Sequence, residues 1–471
     1  MTAQLAWKGE EVVRAVHGEC LHEQDWRADG VSIDSRSVKP GDIFVALVGP
    51  MHDGHTYVSA AFEKGATAAI VAHQPAQIPQ KAPLIFVPDT FKALELLGKA
   101  GRERSTAKIV AVTGSVGKTG TKEMLRLMLG AVGETHANEG SLNNQWGVPL
   151  SLARMPADAV YGVFELGMNH AGELTGLSRQ VLPDVAMITT IDAVHLEFFS
   201  SLEAIADAKA EIFLGMDAEG AAVLNRDNSQ YARLASAART HGLKQVLSFG
   251  RDLKCDGKML EYKAVPEGGR IKADILGHKI TYLLSAPGEH LALNSVGALL
   301  SAVVAGGDRE VCAGALAHFE QPKGRGVVQT VEMKKGRFTL IDESYNASPA
   351  AVRAAIHVLG HMTPESGGRK ILVLGDMKEL GAASPALHAE LAKDIVEAKI
   401  AAVYCCGEMM AHLYAALPPS LRGHYAQDSA GLAAQIAGHV HAGDIVTVKG
   451  SHSMNMNVII DALRALGASA G

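Results

Sequence analysis

The chain has 471 residues, of which 48% are hydrophobic and 20% are charged, and its formal net charge at pH 7 is −6. This length is typical of about three domains, and the composition predicts a packed core rather than disorder. The negative net charge and the lack of any run of Lys and Arg argue against nucleic-acid binding.

The cysteines and the N-terminal residues predict a cytoplasmic location. The five cysteines are odd in number and show neither a CxxC pair nor a Cys/His metal spacing, as is typical of a reducing compartment. Residues 1–20 carry several charges and no apolar core of a secretory signal. The longest uncharged stretch, residues 291–307, is too short and too polar for a membrane span. We therefore expect a buried helix there and no membrane span.

Residues 1–105 have the pattern of a small α/β unit. Apolar runs at residues 43–47, 68–71 and 84–87 predict strands, and residues 57–62 predict a helix that ends near Gly65. Ser35 and Arg36 follow Asp34 in a polar segment, for which a solvated turn is the simplest interpretation of the residues alone. The polar residues 101–106 predict a linker to the next unit.

The stretch from Thr113 to Lys122 predicts a phosphate-binding loop between a strand and a helix. In such loops backbone N–H groups bind phosphate, a lysine contacts the β- and γ-phosphates and a hydroxyl ligates Mg²⁺. Lys118 and Thr119 supply those two side chains here. The strict motif has glycine where this chain has Val112, so a plain glycine turn remains the alternative. The predicted loop comprises Gly114, Ser115, Val116, Gly117, Lys118, Thr119 and Gly120.

Polar residues follow the next predicted strands of the central region. Glu165 follows the strand at residues 161–164, and Asp192 and His195 follow the strand at residues 184–190. Ligands of open α/β sheets gather at the carboxyl ends of strands, so these side chains are expected to face the bound phosphates. The alternative is that they only cap loops.

Two other features of the central region are ambiguous from the residues alone. Lys209 lies on the apolar side of a helix predicted between residues 201 and 215, where a lysine commonly extends to solvent. Asn143 and Asn144 lie in a polar loop that is either a turn or a substrate contact.

The residues from 328 onwards predict a second doubly wound α/β unit. Strand patterns at residues 338–341, 371–374, 401–404 and 444–448 alternate with helical stretches such as 386–396 and 432–439. Asp342 and Asn346 follow the first of these strands, and Ser451 follows the last. The glycine-rich break before this unit predicts a hinge near residues 326–330.

Taken in order, these motifs resemble the Mur ligase family, the ATP-dependent amide ligases of peptidoglycan precursor synthesis. The resemblance covers essentially the whole chain. The family's glycine loop is itself a TGxxGK[T/S] variant, which accounts for Val112. The matching segments are TGSVGKT from Thr113, Glu165-Leu166-Gly167, DAVH from Asp192, Lys209 in AKAEIF, Asn294, Gly324-Arg325, DESYNASP from Asp342, and Lys449-Gly450-Ser451.

The resemblance implies a three-domain α/β fold and a set of site residues. Its domains would be a small UDP-sugar-binding domain (1–105), a central P-loop ATP-binding domain (106–327) and a C-terminal Rossmann-like ligase domain (328–471). The cofactors would be ATP and Mg²⁺. The catalytic residues would be Lys118, Lys209 (as a carbamate), His195 and Arg325; the metal ligands Thr119, Glu165, His195 and Lys209; and further nucleotide contacts Asn294, Arg325, Asp342 and Asn346.

Within the family, three segments look most like the member whose substrates are UDP-N-acetylmuramoyl-tripeptide and D-alanyl-D-alanine. They are LNNQWGVPL from Leu142, YNASP from Tyr345 and GDMKELG from Gly375. The segment DSRSVKPGD from Asp34 matches the signature of the UDP-sugar domain, which reverses the interpretation of that turn. The substrate-binding residues implied are Ser35, Arg36, Asn143, Asn144 and Ser451. The family more often has Arg where this chain has His452, so we expect Ser451 and a backbone N–H group to hold the acceptor carboxylate.

Other functions remain open from the sequence. A family member that adds a single amino acid is the nearest alternative, and a folylpolyglutamate-type member lacks so long a first domain. A P-loop kinase or regulatory NTPase does not need the third unit, and a binding module does not need the full set of catalytic residues. We expect a monomer. The identity of the third residue of the tripeptide is not encoded in a recognisable motif.

Overall fold

A computed structural model of the protein describes residues 7–20, 25–49, 52–79, 82–193 and 196–468. The strands form sheets of two, five, nine and six strands. The three larger sheets follow one another along the chain, and helices alternate with most of their strands. The expected three-part α/β architecture is confirmed.

The first unit is a five-stranded sheet in the order β2-β7-β6-β5-β4, in which only β2 is antiparallel to its neighbour. The strands predicted from apolar runs are β5, β6 and β7. Strands β1 to β4 contain only two or three residues each, too few to show a periodic pattern. The elements are β1 Trp7–Lys8, α1 Gly9–Val16, β2 Glu19–Cys20, β3 Arg27–Ala28, β4 Gly30–Ser32, β5 Asp42–Val45, α2 Val58–Glu63, β6 Ala68–Val71, β7 Leu84–Phe86 and α3 Thr90–Glu103.

The predicted linker at residues 101–106 is wrong over its first half, because helix α3 continues to Glu103. Arg102 donates hydrogen bonds to the carbonyl oxygens of Val181 (2.9 Å) and Ser105 (3.0 Å). Arg104 stacks over the Trp7 ring, with 3.7 Å from its guanidinium carbon to the ring centre. These charged residues look like a solvated linker in sequence, but their guanidinium groups fasten the helix to its surroundings.

The second unit is a nine-stranded sheet in the order β16-β15-β14-β13-β12-β11-β8-β10-β9. Strands β8 to β13 are parallel, whereas β14, β15 and β16 form an antiparallel extension that the sequence analysis did not predict. The elements are β8 Lys108–Thr113, α4 Lys118–Gly130, β9 Thr135–Ala137, α5 Gly147–Ala153, β10 Tyr161–Glu165, α6 Glu173–Val181, β11 Val185–Ile188, α7 Leu202–Ala210, β12 Ala221–Asn225, α8 Tyr231–Thr240, β13 Gln245–Gly250, β14 Gly257–Val265, β15 Gly268–Ile275, β16 His278–Leu284, α9 Glu289–Val304 and α10 Arg309–Ala315.

Two layers of buried side chains sandwich this central sheet. One layer packs α4, α9 and α10 on one face, and the other packs α5, α6, α7 and α8 on the opposite face. Helix α9 covers most of the uncharged stretch at residues 291–307, and its residues from Ser295 to Ala302 are buried. The prediction of a buried helix is confirmed. None of the described helices combines the length and apolarity required to cross a membrane.

The third unit is a six-stranded sheet in the order β17-β18-β22-β19-β20-β21, parallel except for the pairing of β17 with β18. The elements are β17 Val327–Glu332, β18 Arg337–Glu343, α11 Pro349–His361, β19 Lys370–Gly375, α12 Ser384–Glu397, β20 Ala402–Cys406, α13 Met410–Ala416, β21 Arg422–Ala426, α14 Ser429–Ile436, β22 Ile445–Lys449 and α15 Asn457–Ala468.

The start of this unit moves the expected hinge upstream. Residues 327–330 lie in β17 and pair with β18, so they belong to the third sheet. Gly326 N donates to Asp342 O (2.8 Å), and Tyr345 N donates to Gly324 O (3.0 Å). Phe319, in contrast, is buried in the central core. Residues 320–323 therefore lie between the two units, and we predict the hinge there.

Candidate functional site

The phosphate-binding loop lies at the carboxyl end of β8, between β10 and β11. Two of its glycines are required by geometry, since Gly114 has φ +148° and Gly117 has φ +88°. A Cβ atom at Gly114 would lie 2.0 Å from Thr189 Oγ1, and one at Gly117 would lie 2.5 Å from Asn294 Nδ2. The sequence-predicted loop is thus closely covered by Thr189, which directly follows β11, and by Asn294 of helix α9.

Hydrogen bonds hold the loop against the segment that follows β11. Ser115 N donates to Thr190 O (2.8 Å), and Ser115 Oγ donates to Asp192 O (3.1 Å). Thr189 Oγ1 donates to Val116 O (2.6 Å). The loop is therefore shaped by its neighbours and not only by its own glycines.

Lys118 begins helix α4, and its ammonium remains within the loop. Its Nζ donates to Gly114 O at 2.8 Å. Burial lowers the pKa of Lys118; the Glu165 carboxylate acts in the opposite direction, and the Arg325 guanidinium adds to the lowering. Two positive groups therefore face one another across the site, as expected where a polyanionic phosphate chain binds.

Glu165 and Thr119 present unpaired oxygen atoms beside this loop. Glu165, at the end of β10, is 1% exposed, and its Oε1 accepts a hydrogen bond from Asn143 Nδ2 at 2.7 Å. Its Oε2 and the Oγ1 of Thr119 are both buried without a hydrogen-bond partner in the described part of the chain. Buried polar atoms are rarely left unpaired. A hydroxyl and a carboxylate are the oxygen ligands that Mg²⁺ prefers, so these two residues fit that ion.

Lys209 is buried and faces the same site. Its side chain is among the largest fully buried ones, with 1% of the residue exposed. No carboxylate of a described residue lies within 4 Å of its ammonium nitrogen. Burial, together with the nearby Lys118 charge, holds the pKa of Lys209 well below its usual range. The interpretation of Lys209 as a solvent-directed lysine is therefore wrong for this structure. His195, the other predicted residue of this group, lies outside the described residues.

The third unit adds residues from the opposite side. The guanidinium of Arg325 lies over the Tyr345 ring at 4.0 Å, and that ring contacts His452 with 5.5 Å between centroids. Lys449 Nζ is held by Glu343 Oε2 (2.9 Å) and by Asn346 O (3.0 Å). Arg325 and Asn346 are thus placed on the rim that faces the central sheet.

Two predicted residues of the third unit are engaged in internal hydrogen bonds. Asp342 is 1% exposed, and its Oδ1 accepts from Ser344 N at 3.1 Å. Its Oδ2 lies 3.5 Å from Arg464, which makes Asp342 a structural anchor of this rim. Ser451 Oγ accepts from Lys378 N at 2.9 Å.

The predicted substrate residues of the first half of the chain are divided between two places. Arg36 is exposed and pairs with Asp34 at 2.7 Å; together with Ser35 it occupies the turn between β4 and β5. No described hydrogen bond joins this turn to the phosphate-binding loop. Asn144 Oδ1 accepts from the backbone N of Gly147, the first residue of helix α5, at 2.9 Å. Asn143 alone among these contacts Glu165, beside the phosphate-binding loop.

Two residues that support Glu165 are not among the sequence-predicted site residues. Lys122 is completely buried, and Asn138 is 1% exposed with its side-chain amide bonded to the backbone of Glu165. A lysine one helical turn after Lys118 was the available signal. Its partner could not be identified, because residues 16 positions apart are joined only by the fold.

Comparisons with known proteins agree with this geometry. Three family models match successive parts of the chain: "Mur ligase family, catalytic domain" at residues 27–102, "Mur ligase middle domain" at 112–302 and "Mur ligase, glutamate ligase domain" at 328–452. A similar protein from Rickettsia prowazekii, named UDP-N-acetylmuramoyl-tripeptide–D-alanyl-D-alanine ligase, is 36% identical over 92% of this chain and 94% of its own length.

Solved structures give the same result for the whole fold. A crystal structure of MurF from Acinetobacter baumannii superposes with a TM-score of 0.85 at 29% identity, covering 98% of this chain and 100% of the other. A MurF ligase from Thermotoga maritima in complex with ADP has a TM-score of 0.77 at 25% identity, covering 94% of this chain and 98% of the other.

Proposed function

The chain belongs to the Mur ligase family, and we propose from this premise that it joins D-alanyl-D-alanine to UDP-N-acetylmuramoyl-tripeptide at the expense of ATP. The product is the UDP-muramoyl-pentapeptide of peptidoglycan synthesis. One observation carries the assignment of the catalytic centre. The unpaired oxygens of Thr119 and Glu165, Lys118 and the buried Lys209 all lie at one phosphate-binding loop.

The chemistry requires activation of a carboxylate, because a carboxylate does not react with an amine at neutral pH. A carboxylate oxygen of the tripeptide attacks the γ-phosphorus of ATP, which gives an acyl phosphate and ADP. The amine of D-alanyl-D-alanine then attacks the acyl carbon, loses a proton and displaces phosphate to form the amide. Phosphoryl transfer depends mainly on positioning and charge neutralisation. Lys118 and Arg325 supply positive charge at the β- and γ-phosphates.

Thr119 and Glu165 would hold one Mg²⁺, and His195 and a carbamate on Lys209 would hold a second. When bound, these ions neutralise charge on the phosphate oxygens. The burial of Lys209 supports the carbamate, because an uncharged amine can take up CO₂ and the resulting anion offers oxygen ligands to a hard cation.

The two flanking units supply the substrates in this proposal. The first unit, residues 1–105, binds the UDP-sugar through the turn with Ser35 and Arg36. Asn143 and Asn144 of the central unit contact the muramoyl-tripeptide. The last unit binds the acceptor dipeptide near Ser451, and its rim residues Asp342 and Asn346 contribute with Asn294 to nucleotide binding. The monomeric state and the cytoplasmic location stay predictions.

Release of phosphate from ATP tests this function. We expect release to require UDP-N-acetylmuramoyl-tripeptide and to be completed by D-alanyl-D-alanine, with formation of pentapeptide seen by mass spectrometry. Turnover with a free amino acid in place of the dipeptide would favour the alternative family member that adds a single residue. Turnover that does not depend on the dipeptide would refute the proposal.

Substitution of Lys209 tests the carbamate. Lys209→Ala should abolish turnover, and short-chain carboxylates should restore part of it by replacing the anionic oxygens. Lys108→Ala is the matched control, because Lys108 is an exposed lysine that pairs with Asp184 at the start of β8. An active Lys209→Ala enzyme would remove this role from the mechanism.

A further inference from the structure

Lys122 is a buried cation that the proposed reaction does not use. It lies one turn after Lys118 on helix α4 and is 0% exposed. Its Nζ donates to Asn138 O at 2.8 Å and lies 2.5 Å from Glu123 Oε1. Burying an ammonium costs several kcal/mol even when it is paired, and an apolar side chain would satisfy packing alone. The charge of Lys122 is therefore explained better by the Asn138 carbonyl that it binds than by the volume that the side chain occupies.

Lys122 binds Asn138, the first residue of the segment 138–143 that supports Glu165. The side-chain amide of Asn138 brackets the backbone of Glu165, since Asn138 Oδ1 accepts from Glu165 N (2.9 Å) and Asn138 Nδ2 donates to Glu165 O (3.1 Å). The same Nδ2 donates to Leu142 O at 2.8 Å. Asn138 therefore joins the end of strand β10 to the segment that carries Asn143.

The segment ends on the carboxylate itself. Asn143 Nδ2 donates to Glu165 Oε1, and Gly167 N donates to Asn143 O at 2.8 Å. One carboxylate oxygen is thereby fixed, and the other, Oε2, is left buried and unpaired. Lys122 is the single described cation that ties this arrangement to helix α4, which also carries Thr119.

We propose that Lys122 and Asn138 are positioning residues that hold the Glu165 carboxylate and the Thr119 hydroxyl in register as oxygen ligands for a divalent cation. The inference rests on the proposed function, which assigns Mg²⁺ to Thr119 and Glu165. Residues that orient metal ligands typically change metal affinity by about 10- to 100-fold when they are replaced.

Calorimetric binding of ADP, in EDTA and in saturating Mg²⁺, measures the effect without turnover. The ratio of the two dissociation constants reports how strongly Mg²⁺ binding is linked to nucleotide binding. We take the ratio as the dissociation constant in EDTA divided by that in Mg²⁺. We expect Lys122→Met to reduce this ratio by about tenfold, or to a value of about one, while ADP affinity in EDTA changes by less than about twofold. Lys108→Met, an exposed charge removal in the same unit, should keep the wild-type ratio.

A double-mutant cycle with Glu165→Gln distinguishes positioning from general weakening. If Lys122 acts through Glu165, Lys122→Met should not reduce the ratio further in the Glu165→Gln enzyme, whereas independent effects would add. If Lys122→Met does not unfold cooperatively, it is not a folded protein, and the ratio measured for Asn138→Ser then tests the inference. A wild-type ratio in the folded Lys122→Met or Asn138→Ser enzyme, or an additive cycle, would overturn the inference.

The Glu165→Gln enzyme also separates this inference from the proposed function. Loss of linkage in Glu165→Gln with normal linkage in Lys122→Met would refute the positioning role alone. Normal linkage in Glu165→Gln would refute the metal assignment itself, and the positioning role with it.

Discussion

The central unit is joined to its two neighbours in different ways. At the first junction, Leu150 and Ala153 of helix α5 belong to the same buried cluster as Val12, Ile43 and Leu94 of the first unit. At the second junction, the buried clusters of the central unit end at Phe319 and those of the third unit begin at Val331, so no cluster of the described residues spans it.

The polar contacts also differ between the two junctions. Across the first junction, Trp7 Nε1 donates to Ala153 O (2.9 Å) and Arg154 Nε donates to Val31 O (2.7 Å). Across the second, Glu197 N donates to Glu379 O at 3.3 Å, and His290 lies in the field of Glu343 and Lys449. A large apolar interface favours a rigid pair, and a polar one permits relative motion.

The difference matches the chemistry proposed for the two neighbours. An acyl phosphate must be protected from water, so the amine-binding unit has to close over the site after both substrates have bound. The UDP-sugar unit can be rigidly attached, because it only has to present the tripeptide carboxylate. In the proposed function, the first junction would therefore position the tripeptide, and the second would admit the acceptor dipeptide.

The largest predicted effect tests the rigid junction. Helix α3 approaches α5 so closely that a Cβ at Gly101 would lie 2.3 Å from Leu152 O. We expect Gly101→Val to destabilise the protein by about 3 kcal/mol or more, because backbone atoms cannot yield as a side chain would. Thermal and urea unfolding measure this. Gly176→Val is the control, since a Cβ on that glycine of helix α6 meets nothing within 4 Å. Equal free energies of unfolding for the Gly101→Val and Gly176→Val proteins would contradict the close packing of α3 on α5.

The next effect concerns the polar junction. Arg325→Met removes positive charge from the rim that faces Lys118, and we expect kcat to fall by about 10²-fold with little change in the unfolding temperature. Lys393→Met, which removes an exposed ammonium from helix α12 of the same unit, should leave both unchanged. A parallel loss of activity and stability in Arg325→Met would show that the residue is structural.

A smaller effect depends on pH and again concerns the rigid junction. His136 Nε2 bonds to Ser151 O of helix α5 at 2.8 Å, and burial lowers the pKa of His136 to about 4 from an ordinary 6.5. Between these values the unfolded chain binds the proton and the folded protein does not. Stability is therefore fully present above pH 6.5 and falls as the pH drops towards 4, by on the order of 2 kcal/mol.

His136→Gln checks the origin of that pH dependence. The amide can still donate to Ser151 O but does not titrate, so the variant should lose less stability between pH 6.5 and 4 than the wild type. Urea unfolding at a series of pH values measures the difference. Identical pH profiles would assign the dependence to other groups.

The sequence predicted those parts of the site whose residues are consecutive in the chain, but not the contacts between distant segments. The loop from Gly114 to Gly120 was predicted because strand, glycines and helix are consecutive in the chain. The orientation of Lys209 was predictable only through the family resemblance, because the periodicity alone fits a lysine that extends to solvent. The role of Lys122 depends on a backbone oxygen in another loop, which no local pattern reveals.

The errors in the fold have separate causes. The predicted linker failed because Arg102 and Arg104 look solvated in sequence, although their partners are carbonyl oxygens and Trp7. The antiparallel strands β14 to β16 could have been recognised from the turn at Gly277, where φ is +85° between two alternating segments. The predicted hinge bounds overlap the third sheet, because residues 327–330 form the first strand of the hairpin of β17 and β18, and no strand was predicted there.

Small-angle X-ray scattering tests the central claim that one junction is rigid and the other closes. The full chain would be measured alone, with a non-hydrolysable ATP analogue and Mg²⁺, and with the analogue plus UDP-N-acetylmuramoyl-tripeptide and D-alanyl-D-alanine. We predict a smaller radius of gyration with the complete set of ligands than with the nucleotide analogue alone, and a fit by rotation of residues 324–468 about residues 320–323. An unchanged radius of gyration, or a fit that requires the first unit to move, would contradict the account.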